Sequence, residues 1–549
     1  MKKYWQILLV IIIPEIIIFT IIFKFNTDKA DVAKDNASAC LYEPEKMPAD
    51  HSKFPQLQKH FNSPEEVTKA CLECHTERGK EFMMTEHWRW LKSDTMDGKL
   101  VELGKMNVPN NFCVGIHGNE KLCSVCHAGY GFKDEKFDFT KEEHIDCIVC
   151  HDNTGKYVKP VPAQCLPPKM REKMHLPDDF KGAGYPNPSL DLSYIAQHVG
   201  MPKRENCGAC HYKGGGGNNV KHGDLEIALN DCDTMVDVHM AKNGANMNCT
   251  ACHTTRNHKI KGNLYTVSSS NANRASCTQC HTDKPHKSKL LNEHYQYVAC
   301  QTCHIPTYAK VNPTKIYWDW ATAGKMKNGK PYKEEKEISE DTIWEYQTRE
   351  GTGIYVKNAV PDYVWFNGNA HIVRLGDTVS GDTIVLNKLY GSYADNVNPK
   401  DPEHPSKIYP VKIMRGHQLY DPVNKMIINP YNAGPKGSGA FWGDYNWDSA
   451  AAKGMFFAGL PYSGKYTFVH TESYWLLNHM VAPASEALTC EACHSVDGRL
   501  KNLTGFYLPG RDRIKAVDIG GMIFILLTII GVIVHGGLRY YSYMKNKNN

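Results

Sequence analysis

The chain has 549 residues, with 64 Lys and Arg against 59 Asp and Glu, for a net charge of +5 with His neutral. That mild excess suits anionic substrates or partners as well as an ordinary solvated surface, and it implies no nucleic-acid partner. Length alone would suggest three or four domains. The hydrophobic share of only 42%, together with 20 cysteines, argues instead that something other than apolar side chains fills part of the interior.

The N-terminus reads Met1-Lys2-Lys3, followed by an apolar run from about Trp5 to Phe23 in which Glu15 is the only charge. The run is long enough to span a bilayer's hydrocarbon core, and a charged start before an apolar run is an export signal. No small-x-small cleavage site follows promptly. Ala37-Ser38-Ala39-Cys40 has the right residues but lies far past the run. Residues 1–27 are therefore read as an uncleaved anchor, with a cleaved signal peptide as the alternative. A polar linker is expected from about Asn26 to Ala49.

Seven Cys-x-x-Cys-His segments follow between residues 71 and 304. They are Cys71/Cys74/His75, Cys123/Cys126/His127, Cys147/Cys150/His151, Cys207/Cys210/His211, Cys249/Cys252/His253, Cys277/Cys280/His281 and Cys300/Cys303/His304; an eighth, Cys490/Cys493/His494, stands apart near the end. The pattern attaches a c-type haem. Its two thiols add to the haem vinyl groups, and the adjacent His is held under the iron as an axial ligand. A redox dithiol or half a zinc ribbon does not require the trailing His. Eight copies imply eight covalently bound haems c. The haems would supply core that side chains otherwise provide, so the expected fold is mainly α with long loops around an eight-haem chain, with few short strands. Spacings of about 20 to 60 residues between the first seven motifs keep neighbouring haems close.

After His304 about 185 residues pass without a motif. The stretch is rich in Trp, Tyr, Gly and Pro, as in Trp318-Asp319-Trp320 and Asn429-Pro430-Tyr431-Asn432, and reads as a cover over the haem stack. Alternation near Asp377 to Leu389 predicts a few short strands. A helix around Tyr474 to Val481 is expected to present His479 to a haem. A second apolar segment runs from about Ile519 to Val534, followed by Arg539, Lys545 and Lys547. By the positive-inside rule that tail is cytoplasmic, as are Lys2 and Lys3. Residues 516–549 are thus a transmembrane anchor with a cytoplasmic tail. Residues 28–515 form an exported haem domain in the periplasm or on the outer side of the membrane, where covalent haem attachment takes place. Tyr540, Tyr541 and Tyr543 sit at the membrane edge, and His535 reads as an ordinary interfacial residue.

Of 26 His, 18 lie outside the motifs, more than enough for second axial ligands. His258 and His286 each follow a motif His by five residues, and His294 closely precedes Cys300. A conduit saturates every iron, whereas an enzyme needs one iron with an open position. A neutral Lys amine is one way to mark such a site. No motif ends in Lys, so the ligand would come from elsewhere; Lys156 and Lys159 follow the third motif in a loop containing Gly and Pro.

From about Asp50 to Asp512 the chain resembles the octahaem tetrathionate reductases, a branch of octahaem cytochromes related to hydroxylamine oxidoreductase. The resemblance rests on Asp50-His51-Ser52-Lys53-Phe54-Pro55, Val67-Thr68-Lys69-Ala70, Asn111-Phe112-Cys113, Asp138-Phe139-Thr140, Gly214-Gly215-Gly216-Gly217 with Lys221-His222-Gly223-Asp224-Leu225, Asp237-Val238-His239-Met240, Trp318-Asp319-Trp320 and Leu460-Pro461-Tyr462-Ser463-Gly464-Lys465-Tyr466. It implies seven bis-His haems and one catalytic haem with a Lys ligand. The catalytic haem would be on Cys123 and Cys126, beside His127, with Lys159 as that ligand. The distal His would be His87, His222, His239, His258, His286, His294 and His479; His117, His144, His198 and His417 lack such support. Cys40, Cys113, Cys165 and Cys232 lie outside the motifs and in an oxidising compartment could form two disulfides, with three pairings open. Cys113 falls ten residues before the second motif.

The implied activity is reduction of tetrathionate to thiosulfate with electrons from a membrane donor, either a quinol-oxidising partner or a cytochrome. Nitrite or hydroxylamine reduction is the alternative substrate reading, and a non-catalytic electron conduit the alternative class. Oxidation of hydroxylamine or hydrazine would require a Tyr tied to the catalytic haem. Lys156, Lys169, Arg171 and Arg204 are candidates to line the path of the small anion. The oligomeric state stays open, a homo-oligomer included.

Overall fold

A computed structural model describes residues 49–112, 115–166, 168–338, 341–397 and 405–547. The N-terminal apolar run, nearly all of the expected linker, Cys40 and Cys113 lie outside the described residues. The chain divides into two compact units, Met1–Ala487 and Leu488–Asn549.

In the first unit, residues up to about 312 form short helices, 3-10 turns and hairpins. The first motif closes helix α1, Pro64–Cys74, whose start follows from its sequence. Ser63 caps the helix by accepting from the Glu66 N–H, Pro64 occupies the first turn, and Glu65 and Glu66 complement the dipole. The fourth motif closes α2, Arg204–His211. His258 stands at the tip of a tight hairpin, Thr255–Arg256 with Lys259–Ile260; Asn257 and His258 both have positive φ (51° and 59°), as a two-residue primed turn requires.

The motif-free stretch departs from the expectation of few strands. It builds a nine-stranded mixed sheet. The strands are β1 Thr314–Asp319, β2 Lys333–Ile338, β3 Asp341–Gln347, β4 Gly351–Val356, β5 Asp362–Phe366, β6 Thr383–Val385, β7 Lys407–Asp421, β8 Met426–Ile427 and β9 Thr467–Leu476. Their order is β6-β9-β7-β1-β4-β3-β2, with β5 and β8 also pairing with β7. β7 runs parallel to β1, and β6 runs parallel to β9; the remaining pairs are antiparallel. The physical reason is that no haem motif falls here, so these residues must bury their own apolar surface. They do so around Trp318, Trp320, Met414, Phe441, Trp447 and Trp475. Phe441 stacks on Trp447 at 3.5 Å, and Trp318 on Trp320 at 4.7 Å. Helix α3, Trp447–Phe457, packs against this core with Ala450, Ala451 and Met455 buried. The outer strand β2 is an exposed run of alternating Lys and Glu, which protects an open sheet edge from pairing with other chains.

The region expected to be helical around Tyr474 is the end of β9, and His479 follows in a loop. The run Thr467-Phe468-Val469-His470-Thr471 is β-branched and aromatic, and ten residue pairs tie β9 to β7.

The sheet also holds haem-bearing segments in place. Asn111 Nδ2 donates to Met414 C=O at 2.7 Å, just ahead of the second motif. Thr302 Oγ1, inside the seventh motif, donates to Ile408 C=O at 2.6 Å. Lys412, fully buried on β7, donates through Nζ to the carbonyls of Val220 and Lys221 and to Thr314 Oγ1 at 2.6–3.0 Å. Burial pushes its amine well below the usual lysine value, and these acceptors compensate the buried donor.

In the second unit the eighth motif forms a one-turn helix, Cys490–Cys493. Helix α4, Lys515–Lys547, has an apolar window of mean hydropathy 2.6 with no part of it buried. Among the described residues it is the one helix long and apolar enough to cross a membrane.

Candidate haem sites

Most motifs form a single helical turn, which places the residues at i, i+3 and i+4 on one face. That is the geometry by which two thiols and an imidazole address one planar group. Outside the second motif, a hydrogen bond from Nδ1 to a backbone carbonyl recurs. His151 donates to Gly200, His253 to Lys261 and His494 to Pro509, at 2.8–3.0 Å. Each bond fixes the tautomer and leaves the Nε2 lone pair for a metal.

Five motif His face a second imidazole across a nearly constant gap. Ring centroids lie 6.3 Å apart for His75 and His51, 6.1 Å for His211 and His87, 6.3 Å for His253 and His479, 6.1 Å for His281 and His239, and 6.1 Å for His304 and His286. Direct ring contact would be shorter. Two metal–imidazole bonds of about 2.0–2.1 Å, with half a ring on either side, span about 6 Å. The residues present therefore fit bis-His iron at five motifs.

Of the distal His inferred from sequence, His87, His239, His286 and His479 stand in such pairs. His258 lies within electrostatic reach of His75 and His151, with Nδ1 3.3 Å from Glu81 Oε2. His294 and His494 fall in different units. His222 is brought to no imidazole gap of this kind; its ring meets Trp475 edge-on at 5.1 Å. His51 takes a distal place that sequence reasoning did not assign. Its one signal was its position in a family-like segment, 20 residues before the first motif.

The thiols give the order of the sites. Cys71 is hydrogen-bonded to Cys147, Cys126 to Cys210, Cys207 to Cys249, and Cys277 to Cys300. Cys150 lies within electrostatic reach of Cys207 and Cys210, and Cys252 of Cys277. Groups carried on these cysteines run first–third–fourth–fifth–sixth–seventh, and the second motif branches from the fourth.

Two motif cysteines depart from the expectation that all sixteen are thiols open to haem. Cys280, in the sixth motif, is disulfide-bonded. Cys303, in the seventh, does not stand among the free thiols, although its motif partner Cys300 does. The assignment of Cys280 and Cys303 as haem-attaching residues is therefore corrected for the state the structure shows. The physical reason is competition for one valence: a sulfur already bonded to sulfur cannot also add to a vinyl carbon. Crowding favours the exchange, because the sixth and seventh motifs abut through Cys277 and Cys300. Attachment at Cys280 requires that its disulfide first be reduced to the thiol. The imidazoles of both motifs keep their iron-sized gaps, His281 to His239 and His304 to His286.

The second motif breaks the ligand pattern. His127 leaves its turn with extended backbone (ψ 132°), whereas His75, His253 and His494 close theirs at ψ 53–61°. Its ring enters a box of Trp88, Trp90, Phe132 and Phe137, with centroids 4.9–5.5 Å away. Nε2 donates to Trp88 C=O at 2.7 Å, and Nδ1 is buried with no hydrogen-bond partner. Burial pushes the imidazole down to about 3, so it is neutral and its single N–H is the one held by Trp88.

Lys159 occupies the same turn. Its buried Nζ donates to His127 C=O at 2.6 Å and to Gly129 C=O at 3.3 Å, and pairs with Asp146 Oδ2 at 3.0 Å. Asp146 also accepts from Tyr130 Oη, Tyr157 Oη and the Val149 N–H at 2.9–3.0 Å. Burial, then the Asp146 charge, pushes both phenols well above their usual value, so they remain donors. Lys105, Lys159 and Lys221 all lie within electrostatic reach of Cys126.

The cations proposed from sequence sit differently. Lys156 lies over the Tyr194 ring at the surface, and Lys169 is exposed. Arg171 pairs with Asp178. Arg204 is buried and donates to the carbonyls of Leu229, Asn230 and Met247 and to Asn246 Oδ1, which holds loops together. Lys105 and Lys221 carried no sequence signal as site cations. Cys165 and Cys232 are free thiols. Each of the three pairings open to the four cysteines outside the motifs needs both of them oxidised, so the expected pair of disulfides is not formed.

Recurrent Cys-x-x-Cys-His turns, iron-sized imidazole gaps and abutting thiols define a multihaem c-type cytochrome. A family described as bacterial cytochrome c matches residues 315–497, and one described as cytochrome c554 and c-prime matches residues 70–152. The octahaem cytochrome c from Shewanella oneidensis, a solved structure, is 38% identical over 82% of this chain and 95% of its own, with a TM-score of 0.71. No curated protein matches. The chain belongs to the octahaem cytochrome c family.

Proposed function

We propose that the chain carries eight haems c and is a membrane-anchored reductase, with its catalytic site at the second motif and Lys159 in place of His127 as an axial ligand. The observation that carries this reading is the exchange at one turn: His127 Nε2 is held by Trp88, while the Lys159 amine lies against the His127 carbonyl. The full count of eight requires Cys280 and Cys303 as thiols when haem is attached. Haem iron supplies the one-electron chemistry. The protein's part is to hold the amine through Asp146, to branch the site off the electron route at the Cys126/Cys210 contact, and to place Lys105 and Lys221 where an anion would approach.

Tetrathionate is the substrate favoured by the family resemblance. It takes two electrons, its central S–S bond breaks, and two thiosulfates leave. Nitrite and hydroxylamine are the competing substrates at the same site.

The test is to reduce the protein fully and follow haem reoxidation by stopped flow after adding tetrathionate, nitrite or hydroxylamine separately. Rapid complete reoxidation by tetrathionate, lost in Lys159→Ala, is the expected result. Reoxidation by nitrite or hydroxylamine alone keeps the site and changes the substrate. Inertness to all three overturns the enzyme reading in favour of a conduit.

A further inference from the structure

We propose that the haem on Cys490 and Cys493 is the port at which a lipid-soluble quinol delivers electrons to this protein. The inference rests on reading α4 as a membrane anchor and the chain as a reductase, and it adds which haem meets the donor and what chemical class the donor is.

The argument starts from how short the tether is. His494 Nδ1 donates to Pro509 C=O at 3.0 Å. Gly510 comes next with φ +86°, and a Cβ there would stand 2.2 Å from the His494 carbonyl oxygen, so only glycine lets the chain pass. Arg511 then clamps the loop by donating to the carbonyls of Leu500, Leu503 and Phe506 and pairing with Asp512. The eighth motif and the start of the anchor are thus tied into one rigid knot. α4 begins at Lys515, six residues after Pro509. At most about 3.5 Å per residue, that link spans no more than about 20 Å. The uncharged part of α4 begins at Ile519, about 6 Å further along the helix. His494 is therefore held within about 30 Å of the hydrocarbon edge, even with the link fully extended.

The surface of this unit agrees. Val496, Tyr507 and Ile514 are each more than half exposed, and Arg513 and Lys515 stand at the start of the helix. Apolar and aromatic groups beside cations suit the headgroup zone. A donor reaching a site held there must itself reside in the membrane. A quinol yields two electrons, accepted singly by ferric haem, and releases two protons on the haem side as it becomes the quinone.

The test uses the full chain in liposomes that contain a reduced naphthoquinol, following the haem α-band. The wild type is expected to be fully reduced. The Cys490→Ser/Cys493→Ser variant should carry one haem fewer than the wild type by pyridine haemochrome and be reduced by dithionite, but at least tenfold more slowly by the quinol. Its quenching of a headgroup-linked fluorophore, a readout independent of turnover, should fall. If that variant does not accumulate, His494→Met, which keeps the attachment and changes the iron ligand, should also slow quinol reduction. Quinol reduction of either variant at the wild-type rate overturns the port. Wild type that is bound to liposomes but inert to quinol overturns the quinol and favours a cytochrome donor. Failure to partition into washed membranes refutes the anchor reading instead, and inertness to every oxidant refutes the reductase reading.

Discussion

Replacing Lys159 by Met removes the buried amine and keeps most of its volume. The Asp146 carboxylate is left with no exposed surface, facing two phenols and one N–H but no cation. Breaking a buried ion pair by deleting one partner costs about 3–5 kcal/mol, a large fraction of the ~5–15 kcal/mol that holds a folded domain together. Asp146→Asn in the same chain removes the stranded charge and should recover much of that loss. Iron ligation responds differently. Both Lys159→Met and the double variant should change the spin state of one haem, because neither has an amine to offer. The assay is thermal unfolding in parallel with EPR of the ferric protein. If Lys159→Met is as stable as the wild type, the buried pair is not what holds this turn. If its spectrum is unchanged, Lys159 is not an iron ligand.

Three further outcomes are expected. His51→Ala should convert the first-motif haem from low to high spin with little loss of stability; an EPR spectrum with no low-spin signal lost would remove His51 from the ligand set. Asp224 Oδ2 accepts from the N–H groups of Asn478 and His479 and lies 3.3 Å from His479 Nδ1. Asp224→Asn should make that imidazole a weaker donor and raise the potential of the fifth-motif haem by roughly 60 mV, a tenfold change for one electron; spectroelectrochemical titration gives the answer. Burial works against the Asp421 charge, but hydrogen bonds from Asn424, Ser463 and Val423 outweigh it and bring the carboxyl down to about 2, from an ordinary 3.8. A depressed carboxyl stabilises the fold above its unfolded value, and that contribution is lost as pH falls through the folded one. The melting-temperature gap between wild type and Asp421→Asn should therefore shrink between about pH 4 and pH 2.

The haem motifs were legible in the residues themselves because the pattern is local: two thiols and an imidazole within five positions suffice, and no distant segment is consulted. The oxidation state of Cys280 and Cys303 was not legible, since it depends on which sulfurs from separate segments the fold crowds together. The apolar segment from Ile519 to Val534 was legible because length and lack of charge alone set what can cross a bilayer. The sheet was under-read because the stretch without motifs looked like a cover. Pairing β9 with β7 across some 50 residues is a long-range event that local alternation only hints at, and it turned the expected helix near Tyr474 into a strand. Ligand pairing belongs wholly to the tertiary structure. Distance along the chain favours His222 over His51 no more than it favours His127 over Lys159. Only the packed fold brings His51 to the iron-sized gap facing His75, turns His127 into its aromatic box, and leaves the Lys159 amine, held by Asp146, beside the second motif.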